Sequence, residues 1–212
     1  MSLFDDDATG PPAGPSDAAA SWDEVRDEAD GCRACPLWEP ATQTVFGEGP
    51  VPAAVMLVGE QPGDQEDQRG RPFVGPAGAV LDRALAELDV DRGGLYVTNA
   101  VKHFKFEQRG KRRIHQTPDA GEVRACHPWL DSELALVRPR LVVLLGATAA
   151  KALLGSGFRV TKQHGVPVPS PHAELVTATV HPSSILRGPP ERRQPAYDGM
   201  VDDLRASFAL LG

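Results

Sequence analysis

Four short stretches stand out of an otherwise polar chain by their nearly unbroken apolar character: AVMLVG at 54–59, LYVTNA at 95–100, LVVLLG at 141–146 and LVTATV at 175–180. They are short and rich in β-branched residues, as strands covered on both faces are. Between and after them apolar residues recur at helical spacing, which predicts helices over 77–88, 119–137, 147–154 and 196–210. Ahead of the first strand, SWDEVRDEAD at 21–30 reads as a helix with Ser21 as its N-cap. Strands alternating with helices predict an α/β fold, a three-layer α/β/α sandwich around a four-stranded, mainly parallel sheet. Segment 1–20, rich in Asp, Gly, Pro and Ala, is expected to be a disordered tail, leaving 21–212 as a single domain.

In such sheets ligands bind beyond the carboxyl ends of the strands. The first strand is followed by GEQPGDQED, the second ends in Asn99 and leads to a histidine-bearing loop, the third is followed by GAT and the fourth by HPSSILR. The unusual polar segments therefore share one edge, which marks it as the candidate site. In the first segment Gly59, Pro62 and Gly63 make a tight turn, Glu60 and Asp64 supply carboxylates, and Phe73 offers a flat apolar face. No GK[ST] follows, so this is not a phosphate-cradling loop.

Composition adds limits. With 41% apolar and 24% charged residues the chain looks like an ordinary globular protein. No run reaches the roughly 18 apolar residues of a membrane span, and MSLFDDDATG is not a secretory leader, so a cytoplasmic location without membrane contact is expected. Three cysteines are too few for a disulfide framework and point to metal ligands or buried thiols. A net charge of −7 argues weakly against nucleic acid, but it is an average. Between 105 and 115 stand Lys105, Arg109, Lys111, Arg112 and Arg113 against the single acid Glu107, and Arg187, Arg192 and Arg193 form a second basic cluster. A basic groove remains open to an acidic protein. The segment GKRRIHQTPDA at 110–120 sets His115 at the tip of such a cluster; by itself it reads as a solvated loop with an incidental histidine.

Joined together, the motifs say more. Gly59-Glu60-Gln61-Pro62-Gly63 with Glu66-Asp67, Arg71-Pro72-Phe73-Val74-Gly75, Asn99-Ala100-Val101-Lys102 and His181-Pro182-Ser183-Ser184-Ile185-Leu186-Arg187 resemble the uracil-DNA glycosylase superfamily in its iron–sulfur branch, from about Cys32 to Leu210. GEQPG together with the KRRIH loop is similar to the UdgX subgroup, whose members bond covalently to DNA after excising uracil. The resemblance implies uracil-containing DNA as partner, single-stranded and also double-stranded, with the protein acting as a monomer.

It also implies roles. A base inside a duplex must be extruded before chemistry can reach it. Asn99, whose amide both donates and accepts, would contact uracil O4 and N3–H. Phe73 would stack on the base, and the backbone around Gln61 would help to read it. His181 would donate to uracil O2 as negative charge develops there. Glu60 or Asp64 would stabilise the sugar cation or take a proton. His115 would attack C1′, while Lys111, Arg112, Arg113, Ser183, Ser184 and Arg187 would hold DNA. Cys32 and Cys35 form a CxxC pair, Cys126 lies in RACHPWL, and His103 follows in VKHF where most of the branch has cysteine. The resemblance implies that Cys32, Cys35, His103 and Cys126 bind a [4Fe–4S] cluster. Zinc is the alternative metal, and His127 competes as a ligand. Two other functions stay open: a glycosylase that turns over conventionally, and a non-catalytic, metal-stapled module for single-stranded DNA.

Overall fold

The computed structural model describes residues 20–212 together with Gly14 and Pro15, so the tail expected over 1–20 lies, but for three residues, outside the described residues. Helix α1 (Trp22–Asp30) opens on a reciprocal cap, in which the Ser21 hydroxyl accepts from the Glu24 N–H and the Glu24 carboxylate from the Ser21 N–H. Then follow β1 (Val55–Gly59), α2 (Asp64–Arg69), α3 (Pro76–Glu87) and β2 (Tyr96–Asn99). A hairpin of β3 (Phe106–Arg109) and β4 (Arg112–His115) leads to α4 (Ala120–Val137). The remainder is β5 (Leu141–Leu145), α5 (Ala147–Leu154), α6 (Val160–Gln163), β6 (Leu175–Thr179), α7 (Pro182–Arg187) and α8 (Pro190–Ala209). None of the described helices is long and apolar enough to cross a membrane.

The main sheet has the order β2-β1-β5-β6 and is parallel throughout, so the expected sandwich is borne out and its sheet is wholly parallel. Successive side chains alternate between its faces. Met56, Val58, Tyr96, Val142 and Leu144 pack on one side with Leu130 of α4 and Ala149 of α5. Val55, Leu57, Val97, Val143 and Leu145 pack on the other with Leu81 of α3 and Met200 and Leu204 of α8. Complete burial on both faces is why these strands carry no polar alternation. A third apolar cluster, including Val25, Leu37, Val101 and Trp129, joins α1 to α4.

From β1 the chain moves outward to β2, then returns to place β5 on the other side of β1. The direction reverses between β1 and β5, and a crevice opens at their carboxyl ends. Two features depart from the sequence reading. The stretch around KRRIH is an antiparallel hairpin, turning through Gly110 at φ +58°, with Phe106 opposite His115 and Arg109 opposite Arg112. Helix α8 begins at Pro190, six residues earlier than expected, because Pro190 occupies the first helical position, where a missing N–H costs nothing. The short helices α2, α6 and α7 carry too few turns for a periodic signal.

Candidate active site

All four strands of the main sheet deliver chemistry to that edge. Glu60 and Gln61 follow β1, Asn99 closes β2, Gly146 and Thr148 follow β5, and His181 follows β6 as the N-cap of α7. A cavity of about 360 Å³ is lined by Gln61, Asp64, Phe73, Asn99, His115, His181, Ser183 and Arg187 among others. A second cavity, of about 270 Å³, shares Gln61, His115, His181, Ser183 and Arg187 and adds Glu60 and Ser184.

Asn99 is 2% exposed, and its Oδ1 is the one buried side-chain oxygen or nitrogen among the described residues that has no hydrogen-bond partner. Such an acceptor costs about 1–3 kcal/mol and marks a place where a donor belongs. The space before it exists because residue 59 is glycine: a β-carbon there would collide with Asn99 Oδ1 and the Phe73 ring. Phe73 itself holds φ +52°, a conformation that costs a non-glycine residue about 1–2 kcal/mol, and its ring lies 5.9 Å from that of His181. Asn99 is anchored from behind by Lys102, 1% exposed, whose Nζ donates to the Asn99 carbonyl, Thr98 Oγ1 and Glu133. Glu133 in turn accepts from Tyr96, Thr98 and the Gly47 N–H, so this buried ion pair is fully hydrogen-bonded.

The Ser183 N–H donates to His181 Nδ1 at 3.1 Å, which leaves the imidazole proton on Nε2. Burial presses the His181 pKa down to about 4, against the opposing pull of Glu60, so the ring is a neutral Nε2–H donor at pH 7.

His115 lies at the outer lip, its side chain 38% exposed, with Nε2 3.3 Å from Glu60 Oε1. The other Glu60 oxygen accepts a short hydrogen bond from Thr148 Oγ1. Burial pushes the Glu60 carboxyl up, but the bonds to His115 and Thr148 and the charges of His115 and His181 outweigh it, and its pKa falls below the ordinary value.

What steadies the hairpin changes the reading of three residues. Arg113, grouped by sequence with the DNA-holding cations, is turned inward: its guanidinium pairs with Asp64 and the fully buried Asp67 and lies over the rings of Phe104 and Phe106. Residues two apart on a strand share a face, so Arg113 and His115 point inward while Arg112 points out. Asp64 is held by Arg113 and by Gln68. The Gln61 amide is spent on the hairpin's roots, donating to the carbonyls of Lys105 and Gln116 and accepting the Lys105 N–H. Lys111, Arg112 and Arg187 are exposed and without an ion-pair partner among the described residues. Ser184 is exposed and donates to the His181 carbonyl. Thr148 and Glu133 escaped the sequence reading, since no local pattern distinguishes them, and the motif that contains Asp67 gives no sign of its partner Arg113.

Cys32, Cys35, His103 and Cys126 line one further cavity, between α1, α4 and the segment after β2. Trp129 Nε1–H donates to Cys32 Sγ and the Lys102 N–H to Cys126 Sγ, both at 3.2 Å. His103 Nε2 lies 3.0 Å from Thr44 Oγ1. His127 is not part of this cavity; it lies 3.4 Å from Asp131 in a separate groove. Among the described residues no three His, Cys, Asp or Glu side chains gather about a point as a single metal ion requires.

Residues 46–205 match the family model of the uracil DNA glycosylase superfamily. The type-4 uracil-DNA glycosylase of Pyrobaculum aerophilum is 39% identical over 166 residues, which cover 74% of this chain and 81% of the relative. That of Thermotoga maritima is 37% identical over 164 residues, covering 77% and 82%. That of Sulfurisphaera tokodaii is 34% identical over 181 residues, covering 82% and 79%.

Proposed function

Since the chain belongs to the uracil-DNA glycosylase superfamily and is a uracil-DNA glycosylase, we propose that His115 captures the sugar exposed by excision, forming a covalent bond to C1′ in place of releasing abasic DNA. The observation that carries this reading is the His115–Glu60 contact of 3.3 Å at the lip of the cavity holding Asn99 and His181. A nucleophile and a proton acceptor are thereby paired where water would otherwise enter.

Uracil, flipped out of the strand, stacks on Phe73. Asn99 Oδ1 accepts from uracil N3–H and Nδ2 donates to O4, which supplies the partner that Oδ1 lacks. The bond from C1′ to N1 breaks with its electron pair moving onto uracil, and His181 Nε2–H donates to O2 as charge grows there. A lone pair on an imidazole nitrogen of His115 then forms the bond to C1′. The proton on the other nitrogen passes to Glu60, and the uracil anion regains a proton from water. Glu60 suits this task better than Asp64, whose carboxylate is already engaged by Arg113. Arg187, Ser183 and Ser184 line the site's cavities and, with the exposed Lys111 and Arg112 at the hairpin turn, hold the phosphates of single- or double-stranded DNA, whereas Arg113 positions the hairpin.

Cys32, Cys35, His103 and Cys126 hold a [4Fe–4S] cluster in this reading. Three thiols and one imidazole lining a single cavity are a donor set of the kind that holds an iron–sulfur cluster. The N–H groups on two of the sulfurs are the donors that stabilise thiolates. The cluster supplies structural support, tying α1 to α4. Purified protein is expected to be brown, and Cys126→Ala to lose the colour and several kcal/mol of stability, because metal-binding energy is folding energy. Colourless protein carrying stoichiometric zinc contradicts the assignment.

The function is tested on a denaturing gel. Mixed with uracil-containing single-stranded DNA, the protein is expected to form one heat- and detergent-stable adduct per molecule, and none with thymine-containing DNA. Abasic product in excess of enzyme is the result that overturns capture.

A further inference from the structure

Thr148, the second residue of α5, turns its hydroxyl away from its own helix and onto Glu60 Oε2, a residue 88 positions upstream, while Glu60 Oε1 lies 3.3 Å from His115 Nε2. The carboxylate is gripped at both oxygens across the crevice between β1 and β5. We propose that Thr148 is a positioning residue for covalent capture, its hydroxyl fixing the Glu60 carboxylate so that Oε1 is kept for the imidazole. The inference rests on His115 as the nucleophile and extends that reading to a residue that lines neither cavity of the site.

Three observations support it. The end of the Glu60 side chain is its loose part: the backbone is already pinned, with the Val101 N–H donating to the Glu60 carbonyl and the Ala100 N–H to that of Gly59. The last torsion of a glutamate has a broad, shallow profile, so a second contact is what selects which oxygen faces His115. Gly146, the N-cap of α5, brings no side chain of its own to the helix start, so the first turn is left open to a carboxylate. Finally, the titratable groups facing Glu60 are His115 at the end of β4 and His181 ahead of α7, and His181 stays neutral. In the free protein the Thr148 hydroxyl and His115 are then the chief groups holding the half-buried carboxylate in its ionised, proton-accepting form.

The test compares wild type, Thr148→Val and Thr148→Ser on uracil-containing single-stranded DNA under single-turnover conditions. It records released uracil, released abasic DNA and covalent adduct across pH. Losing a hydrogen bond to a charged group is expected to slow adduct formation about tenfold to hundredfold in Thr148→Val and to divert product toward free abasic DNA. The acid limb of the rate profile should move to higher pH, since a carboxyl with a raised pKa is ionised over a narrower range. Thr148→Ser, which keeps the hydroxyl, should restore both. In parallel, the carbon-13 signal of the Glu60 carboxyl in the free protein should titrate at higher pH in the valine variant alone. Wild type that releases uracil yet never crosslinks sinks the covalent reading and leaves the Glu60 titration to judge Thr148. An unmoved Glu60 midpoint in Thr148→Val, or a serine variant no better than the valine one, overturns the inference.

Discussion

Replacing His115 with serine is expected to abolish the covalent adduct and turn the protein into a multiple-turnover, hydrolytic uracil-DNA glycosylase. The imidazole is removed while the groups proposed to break the glycosidic bond stay on separate supports: Asn99 at the end of β2, Phe73 between α2 and α3, and His181 ahead of α7. Serine leaves room beside Glu60 for a water molecule, which the carboxylate can orient toward C1′. The change is large in kind, from one event per molecule to many. Its effect on folding is small, because the His115 side chain is 38% exposed and lies outside the apolar clusters; a shift within about 0.5 kcal/mol is expected. A crosslink that persists in the serine variant would place the nucleophile elsewhere.

The second large effect is expected from Asn99→Ala. In the free protein Oδ1 is a buried acceptor without a donor, so deleting it relieves a cost of about 1–3 kcal/mol, which offsets the small void left behind. Melting temperature is therefore expected to hold steady or rise. Excision moves the other way, since uracil would enter a dry pocket with N3–H and O4 unpaired. Two lost contacts at this scale correspond to a fall of about a hundredfold or more in single-turnover uracil release. Affinity for thymine-containing DNA, which depends on phosphate contacts, should barely change. A variant that melts earlier and excises normally would make Asn99 a structural residue.

The sheet was legible because a strand buried on both faces has to be apolar throughout, and AVMLVG or LVVLLG has little other use in a polar chain. The position of the site was legible too, because parallel strands align their carboxyl ends. The hairpin was not: FEQR and RRIH lack a buried face, and the contacts that steady them, from Asp64 and Asp67 to Arg113 and from Gln61 to Lys105 and Gln116, come from far along the chain. Arg113 shows the limit most plainly. Beside Lys111 and Arg112 it looks like one more solvated cation, yet its partners Asp64 and Asp67 stand 49 and 46 positions earlier, and only the fold brings them to it. Thr148 is hidden for the same reason: GAT after a strand carries no sign of the carboxylate it meets.

Lys102 stands behind Asn99 and beside a cysteine at once. Its side chain donates to the Asn99 carbonyl and its own N–H to Cys126 Sγ, so one residue belongs to the surroundings of both. Oxidation of Cys126 would replace a sulfur acceptor with a bulkier polar group at that N–H. Lys102 stands three residues after Asn99, and its ammonium group holds the Asn99 backbone carbonyl. The cysteine corner and the backbone that carries Asn99 are thus joined through one residue, and a change at either bears on the other.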